Sequence, residues 1–318
     1  MSLFAPAYYP AFRCIAGACR HSCCIGWEIC IDSRTLARYK SLPPRERKAI
    51  LAHTVTQKGD TTIRLTHDER CPFLTNEGLC RLILAHGEEI LCDICREHPR
   101  FYNEFSDRTE VGLGLCCEEA ARLILSETEP FRLICLDGDE SAEGIDPFEA
   151  HFFSARREVF SLLSDRTRPL KDRLDDLLNR FSLSRRAIYE NDDHWQSVCR
   201  ELERLDPAWD EALTAWKNAT PMQTAFSEVA CEQLIAYFLY RHLFGAIEDG
   251  RYSERIAFAL LSAHIILSIA SAVGGDDLDA TLIDTARAYS AEVEYDEDNV
   301  QALLNLLNVA YTAHTDEE

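Results

Sequence analysis

The sequence carries no glycine-rich phosphate loop, no Rossmann fingerprint, no nucleophile elbow and no convincing internal repeat. These absences set aside P-loop, dinucleotide-binding, α/β-hydrolase and solenoid readings. The opening stretch MSLFAPAYYPAFR has no charged start followed by an apolar run, so no secretory signal is expected. A cytoplasmic location follows, and there thiols stay reduced. The longest apolar run, IAFALLSAHIILSIASAV at 256–273, approaches a membrane span in length. Ser262, His264, Ser268 and Ser271 interrupt it, so a buried core helix is expected instead.

Cysteine is scarce in the second half and abundant in the first. Twelve of 14 fall at positions 14, 19, 23, 24, 30, 71, 80, 92, 95, 116, 117 and 135, leaving Cys199 and Cys231 beyond. A chain of 318 residues, 47% of them hydrophobic, builds a core without needing disulfides. The adjacent pairs Cys23–Cys24 and Cys116–Cys117 fit disulfide geometry poorly. Inert core thiols would be scattered along the chain, so the segregated set points to metal ligation. Only Cys92 and Cys95 show the Cys-x2-Cys spacing common in structural zinc sites. Iron–sulfur clusters accept more varied spacing, although the radical-type motif Cys-x3-Cys-x2-Cys is absent. On spacing, iron–sulfur and zinc both stand. His21, His86 and His98 lie near the thiols in sequence as further candidate ligands.

Charge divides the chain at the same place. Residues 1–135 hold 17 basic and 18 acidic side chains, leaving 16 basic and 36 acidic in the remainder. So acidic a second half repels nucleic acid and anionic membrane, and either serves solubility or attracts a cationic partner.

The expected fold class is mainly α. A cysteine-rich metal-binding N-terminal region with minor β spans 1–135, a linker rich in Asp, Gly and Glu spans 136–147, and an acidic all-helical bundle spans 148–318. In the first region, DSRTLARYK reads as a helix capped by Asp32 or Ser33. TTIRL and CPFL read as short strands, with TNEG turning the chain back. GEEILCDICREHPRFY reads as a helix ended by Pro99, with Cys92 and Cys95 on one face. CCEEAARLILSE opens another helix, with Glu118 and Glu119 in its favourable first turn.

The stretch YYPAFRCIAGACRHSCCIGWEICID resembles the start of the flagellin lysine-N-methylase family, where a spaced-cysteine run ends in Cys-Cys-x-Gly-Trp and then Ile-Asp. The resemblance continues through CPFLTNEGLCRLI, GEEILCDICREHPR and LCCEEAARLIL, covering roughly residues 8–126. The same region is similar to a broader zinc/iron-chelating cysteine-rich family. Position by position, the resemblance carries over Cys14, Cys19, Cys23, Cys24, Cys71, Cys80, Cys92, Cys95 and Cys117 as metal ligands. Cys30 falls outside the pattern, Cys116 stands where serine is more common, and Glu118 where proline often stands.

The resemblance implies transfer of methyl from S-adenosylmethionine to lysines of flagellin, with an iron–sulfur cluster, [4Fe-4S], and zinc as the alternative metal. Nine thiols exceed what one cubane needs, so either two sites exist or some thiols are structural. A lysine amine must lose its proton before it attacks, and with a pKa near ~10.4 only roughly one in 2,500 is neutral at pH 7. A base beside it would help, and Glu88, Tyr102 and Glu119 lie in the matched motifs as candidates. The alternative function is a non-catalytic zinc- or iron-binding module with a partner-docking acidic bundle. No nucleic-acid or membrane partner is expected.

Overall fold

A computed structural model describes residues 2–138, 146–219 and 226–312. The strands are β1 (Ser2–Pro6), β2 (Ile29–Cys30), β3 (Thr54–Gln57), β4 (Asp60–Ile63), β5 (Arg100–Glu104), β6 (Arg108–Leu113) and β7 (Leu133–Asp137). Helices α1 (Ser33–Ser41), α2 (Pro44–Leu51), α3 (Arg81–His86), α4 (Asp93–Glu97) and α5 (Glu118–Leu125) lie among them. Ten more follow: α6 (Pro147–Leu163), α7 (Leu170–Arg180), α8 (Arg185–Tyr189), α9 (Asp192–Glu201) and α10 (Pro207–Asn218), then α11 (Glu228–His242), α12 (Ala246–Asp249), α13 (Tyr252–Val273), α14 (Leu278–Tyr289) and α15 (Glu297–Thr312). The fold is mainly α, as expected.

Two compact units form, one from residues 13–101 with 117–119, the other from the remaining described residues. This differs from the expected break at 136–147, most of which lies outside the described residues. The reason is a sheet of order β5-β6-β1-β7. β1 pairs in parallel with β6, Ser2 opposite Arg108, and antiparallel with β7, Ala5 opposite Ile134. Backbone hydrogen bonding thus ties residues near 2–6, 108–113 and 133–137 into the helix-rich unit.

In the smaller unit, Asp32 caps α1 by accepting from the Thr35 amide at 2.8 Å. Lys58 and Gly59, both at positive φ, make the two-residue turn between β3 and β4. Of the expected strands, TTIRL is realised in β4, while CPFL is a turn and bridge, Leu74 meeting Cys80 across the 75–79 loop. The expected helix over GEEILCDICREHPR is broken. A 3-10 turn at Glu88–Ile90 gives way to α4, and Cys92 sits at the N-cap of α4 with Cys95 one turn inside. Ile29, Ile31, Tyr39, Ile50, Ile63, Phe73, Leu82 and Ile90 form the core, and thiols complete it.

In the larger unit, α13 is the apolar run singled out in the sequence, and it is a core helix. It packs against α8, α10, α11, α14 and α15, and Ser262 inside it bonds the Tyr289 hydroxyl at 2.8 Å. Buried ion pairs brace the same unit. Arg156 forks onto the fully buried Glu110 at 2.6 and 2.7 Å, and buried Arg173 meets buried Glu232 at 2.6 Å. A π-helical turn at Ser290–Glu294 places Glu294 under the Tyr237 hydroxyl (2.7 Å), His242 Nε2 (2.8 Å) and Arg241 Nε (3.0 Å).

Candidate metal centre

Local backbone pairing, more than sequence spacing, assembles the thiols. The Cys71 amide donates to the Cys24 carbonyl at 2.8 Å, and Ile25 bridges Arg70, so the two cysteines are held side by side. The Leu74–Cys80 bridge folds Cys80 back towards Cys71. Cys92 and Cys95 arrive on α4, which packs against β2. Cys71 and Cys92 belong to the core of the unit, with Cys24, Cys80 and Cys95 packed against it.

Electrostatics links the same five thiols and ties Cys23 to them through Cys24. The Cys71 thiol is pushed up to about 11 by burial, with Cys24 and Cys80 acting on it. Burial raises Cys80, with Cys24 and Cys92 adding to the effect. Cys24 is lowered to about 7 by a hydrogen bond from Cys23, and Cys92 to about 7 by one from Cys95. In each pair the donor keeps its proton and its own pKa rises. The nine thiols matched by family resemblance therefore fall into five, Cys24, Cys71, Cys80, Cys92 and Cys95, and four, Cys14, Cys19, Cys23 and Cys117.

The group of four is more open. Cys14 and Cys23 are exposed, and Cys14 and Cys117 both act on Cys23. Cys19 Sγ lies 3.3 Å from the His21 carbonyl and 3.7 Å from Glu118 Oε2, while Arg20 anchors the same carboxylate at 2.9 Å through Nε and through its amide. Burial, ahead of Glu118 and Cys14, raises the Cys19 thiol. Glu118, noticed in the sequence as standing where proline is common, is thus a partner of this group. Cys23 joins the two groups, its thiol donating to Cys24 while Cys14 and Cys117 act on it, and Trp27 holds this junction by donating its indole N–H to the Cys23 carbonyl.

The side chains here are of the kind that bind a soft metal. Five thiols share one core, and the buried Tyr39 hydroxyl, on which Cys92, Cys95 and Cys80 act, has no hydrogen-bond partner among the described residues. That hydroxyl is a donor without an acceptor, beside sulfur atoms that become strong acceptors once ligated. The fit stops short of a coordination shell, because no three His, Cys, Asp or Glu side chains among the described residues converge as a set able to hold a metal ion.

The other expected residues lie as follows. Glu88 is exposed at the start of the Glu88–Ile90 turn. Glu119 is buried in the first turn of α5. Tyr102 is exposed on β5 and belongs to the larger unit, whereas Glu88 and Glu119 belong to the smaller. His98 is pushed down to about 4 by burial and then by Arg100, its ring 5.7 Å from Trp27. His86 stands 3.7 Å from Glu46. Cys116 falls in the larger unit, where it bonds Tyr295. Cys199 and Cys231 are pushed up by burial to about 12 and about 11, as inert core thiols are. Sequence reasoning missed Tyr39, whose only signal was its place on an amphipathic helix.

No family model matches the chain, and no solved structure matches it. Among curated proteins, it is 28% identical over 134 residues to proteins named lysine-N-methylase from Salmonella typhimurium and Salmonella choleraesuis. The match covers 40% of this chain and 33% of each relative, so the chain spans about a third of the length of those methylases. It is also 25% identical over 139 residues to the flagellar biosynthetic protein FliU of Salmonella muenchen, covering 79% of that protein. Over two fifths of its length, the chain is therefore similar to proteins named lysine-N-methylase and to a flagellar biosynthetic protein.

Proposed function

We propose that this chain acts in the methylation of flagellin lysines, with S-adenosylmethionine as methyl donor and a thiolate-held metal in its smaller unit. The similarity to lysine-N-methylases and to FliU carries the reading. S-adenosylmethionine supplies a methyl carbon activated by its sulfonium. The neutral lysine amine attacks that carbon, the C–N bond forms as the C–S bond breaks, and the amine proton leaves. Of the three candidate bases, Glu119 is buried and Glu88 and Tyr102 are exposed, so Glu119 is the one shielded to act beside a desolvated amine. The cytoplasm is the proposed location.

Four of Cys24, Cys71, Cys80, Cys92 and Cys95 would hold an iron–sulfur cluster, with zinc as the alternative. Their place in a hydrophobic core favours a structural role for that metal, since catalytic sites keep an open position. The same observation favours the second reading, a metal-binding module without catalysis. Purified anaerobically, the chain is tested by methyl incorporation from labelled S-adenosylmethionine into flagellin, alongside iron, sulfide and zinc analysis. Incorporation supports the methylase; metal without incorporation leaves the binding module.

A further inference from the structure

The larger unit contains a cleft of about 330 Å³ that none of the preceding chemistry uses. Its floor is one face of α6, where Phe153, Arg156, Arg157 and Phe160 recur at helical spacing. Opposite stand Arg108, at the start of β6, and the segment Phe131–Leu133 leading into β7. In a chain of net charge −21, four arginines line this one cleft and no acidic side chain does.

The four are not equivalent. Arg108 is paired with Asp107 at 2.8 Å and Arg156 with Glu110. Their guanidiniums lie 5.0 Å from the Phe153 ring, so they build the wall. Arg132 and Arg157 are exposed and have no ion-pair partner among the described residues. Two unneutralised planar forks suit a group with several anionic oxygens, which guanidinium grips through paired N–H bonds. Phe131 and Phe160, stacked at 4.7 Å, offer apolar ring surface beside the charges. The volume is that of a small-molecule site.

We infer that this cleft binds a nucleoside phosphate, its oxygens held by Arg132 and Arg157 and its base against the phenylalanine rings. It is a site separate from the methyl-donor site, because the sulfonium and ammonium of S-adenosylmethionine would face the unneutralised guanidiniums of Arg132 and Arg157. The inference does not rest on the methylase reading.

Isothermal titration of the full chain with adenosine 5′-diphosphate tests it. One-to-one binding is expected, at least tenfold tighter than adenosine, inorganic phosphate or S-adenosylmethionine measured in the same buffer. The Arg132→Ala/Arg157→Ala double variant should lose at least tenfold in affinity. Its circular dichroism and melting temperature should stay unchanged, since both side chains are exposed. The Lys/Lys counterpart, which keeps charge without the fork, should fall between. No binding of the diphosphate at millimolar concentration overturns the inference, as does equal binding of inorganic phosphate, tighter binding of S-adenosylmethionine, or a double variant within twofold of the parent.

Discussion

Asp32 and Asp93 are tied across the smaller unit by one hydrogen bond, the Asp93 amide donating to Asp32 Oδ2 at 3.0 Å. The other oxygen of the same carboxylate accepts from Thr35, so a single side chain satisfies the first turns of α1 and α4. Because α4 carries Cys95 and is capped at Cys92, this carboxylate sets where two thiols stand.

Asp32→Ala should therefore destabilise the chain by about 1–3 kcal/mol, the loss of a cap plus a stranded amide. Asp32→Asn, with one acceptor oxygen left, should cost less. Asp68→Ala, on an exposed loop, should stay within about 0.5 kcal/mol. Urea midpoints of the three variants rank the effects; equal losses for Asp32→Ala and Asp68→Ala would remove the two-helix role.

Acid should weaken the larger unit through Glu294. Burial pushes its carboxyl up, but Arg241, then His242 and Ser290, hold it down at about 2 against an ordinary 4.5. A depressed carboxylate stabilises the fold above its unfolded pKa, and that contribution is lost as pH falls from about 4.5 towards 2. Burial also lowers His242, so its neutral ring donates Nε2–H to Glu294 and resists protonation. Stability should begin to fall below the ordinary histidine range and steepen below pH 4.5. The Glu294→Gln variant should be less stable at pH 7 and show a flatter profile between pH 4.5 and 2.5 in urea titrations.

Cys71→Ser, Cys92→Ser and Cys95→Ser should each lower the metal content of anaerobically purified protein by more than half. Cys199→Ser and Cys231→Ser should leave it unchanged, since both belong to the larger unit. Metal and sulfide analysis on all five distinguishes the sets, and metal retained after loss of Cys92 and Cys95 together would move the centre to Cys14, Cys19, Cys23 and Cys117.

Much of the local structure was legible because it depends on nearby residues. Asp32 or Ser33 announced α1 by its position before a helical pattern, and the apolar run 256–273, broken by serines and His264, announced a core helix rather than a membrane span. What depends on distant pairing was not legible. SLFAP, five residues followed by a turn, gives no sign that it is flanked by β6 and β7. The break before Cys92 arises because its neighbour's amide is claimed by Asp32, 61 positions away. The nine thiols were readable as a set, but their division turns on the Cys24–Cys71 backbone bond, which spacing does not encode. The cleft on α6 had a helical stripe, Phe153 to Phe160, yet its opposing arginines come from β6 and from the segment before β7.

The placement of β1 bears on the order in which the chain acquires structure during synthesis. This strand leaves the ribosome before both its neighbours, Arg108–Leu113 and Leu133–Asp137, which emerge more than a hundred residues later. At about 5–20 residues per second, β1 waits several seconds with its backbone amides bonded only to water. Residues 13–101 are meanwhile contiguous and carry their own core. The thiol-bearing unit can therefore close while the strand preceding it is still without a sheet.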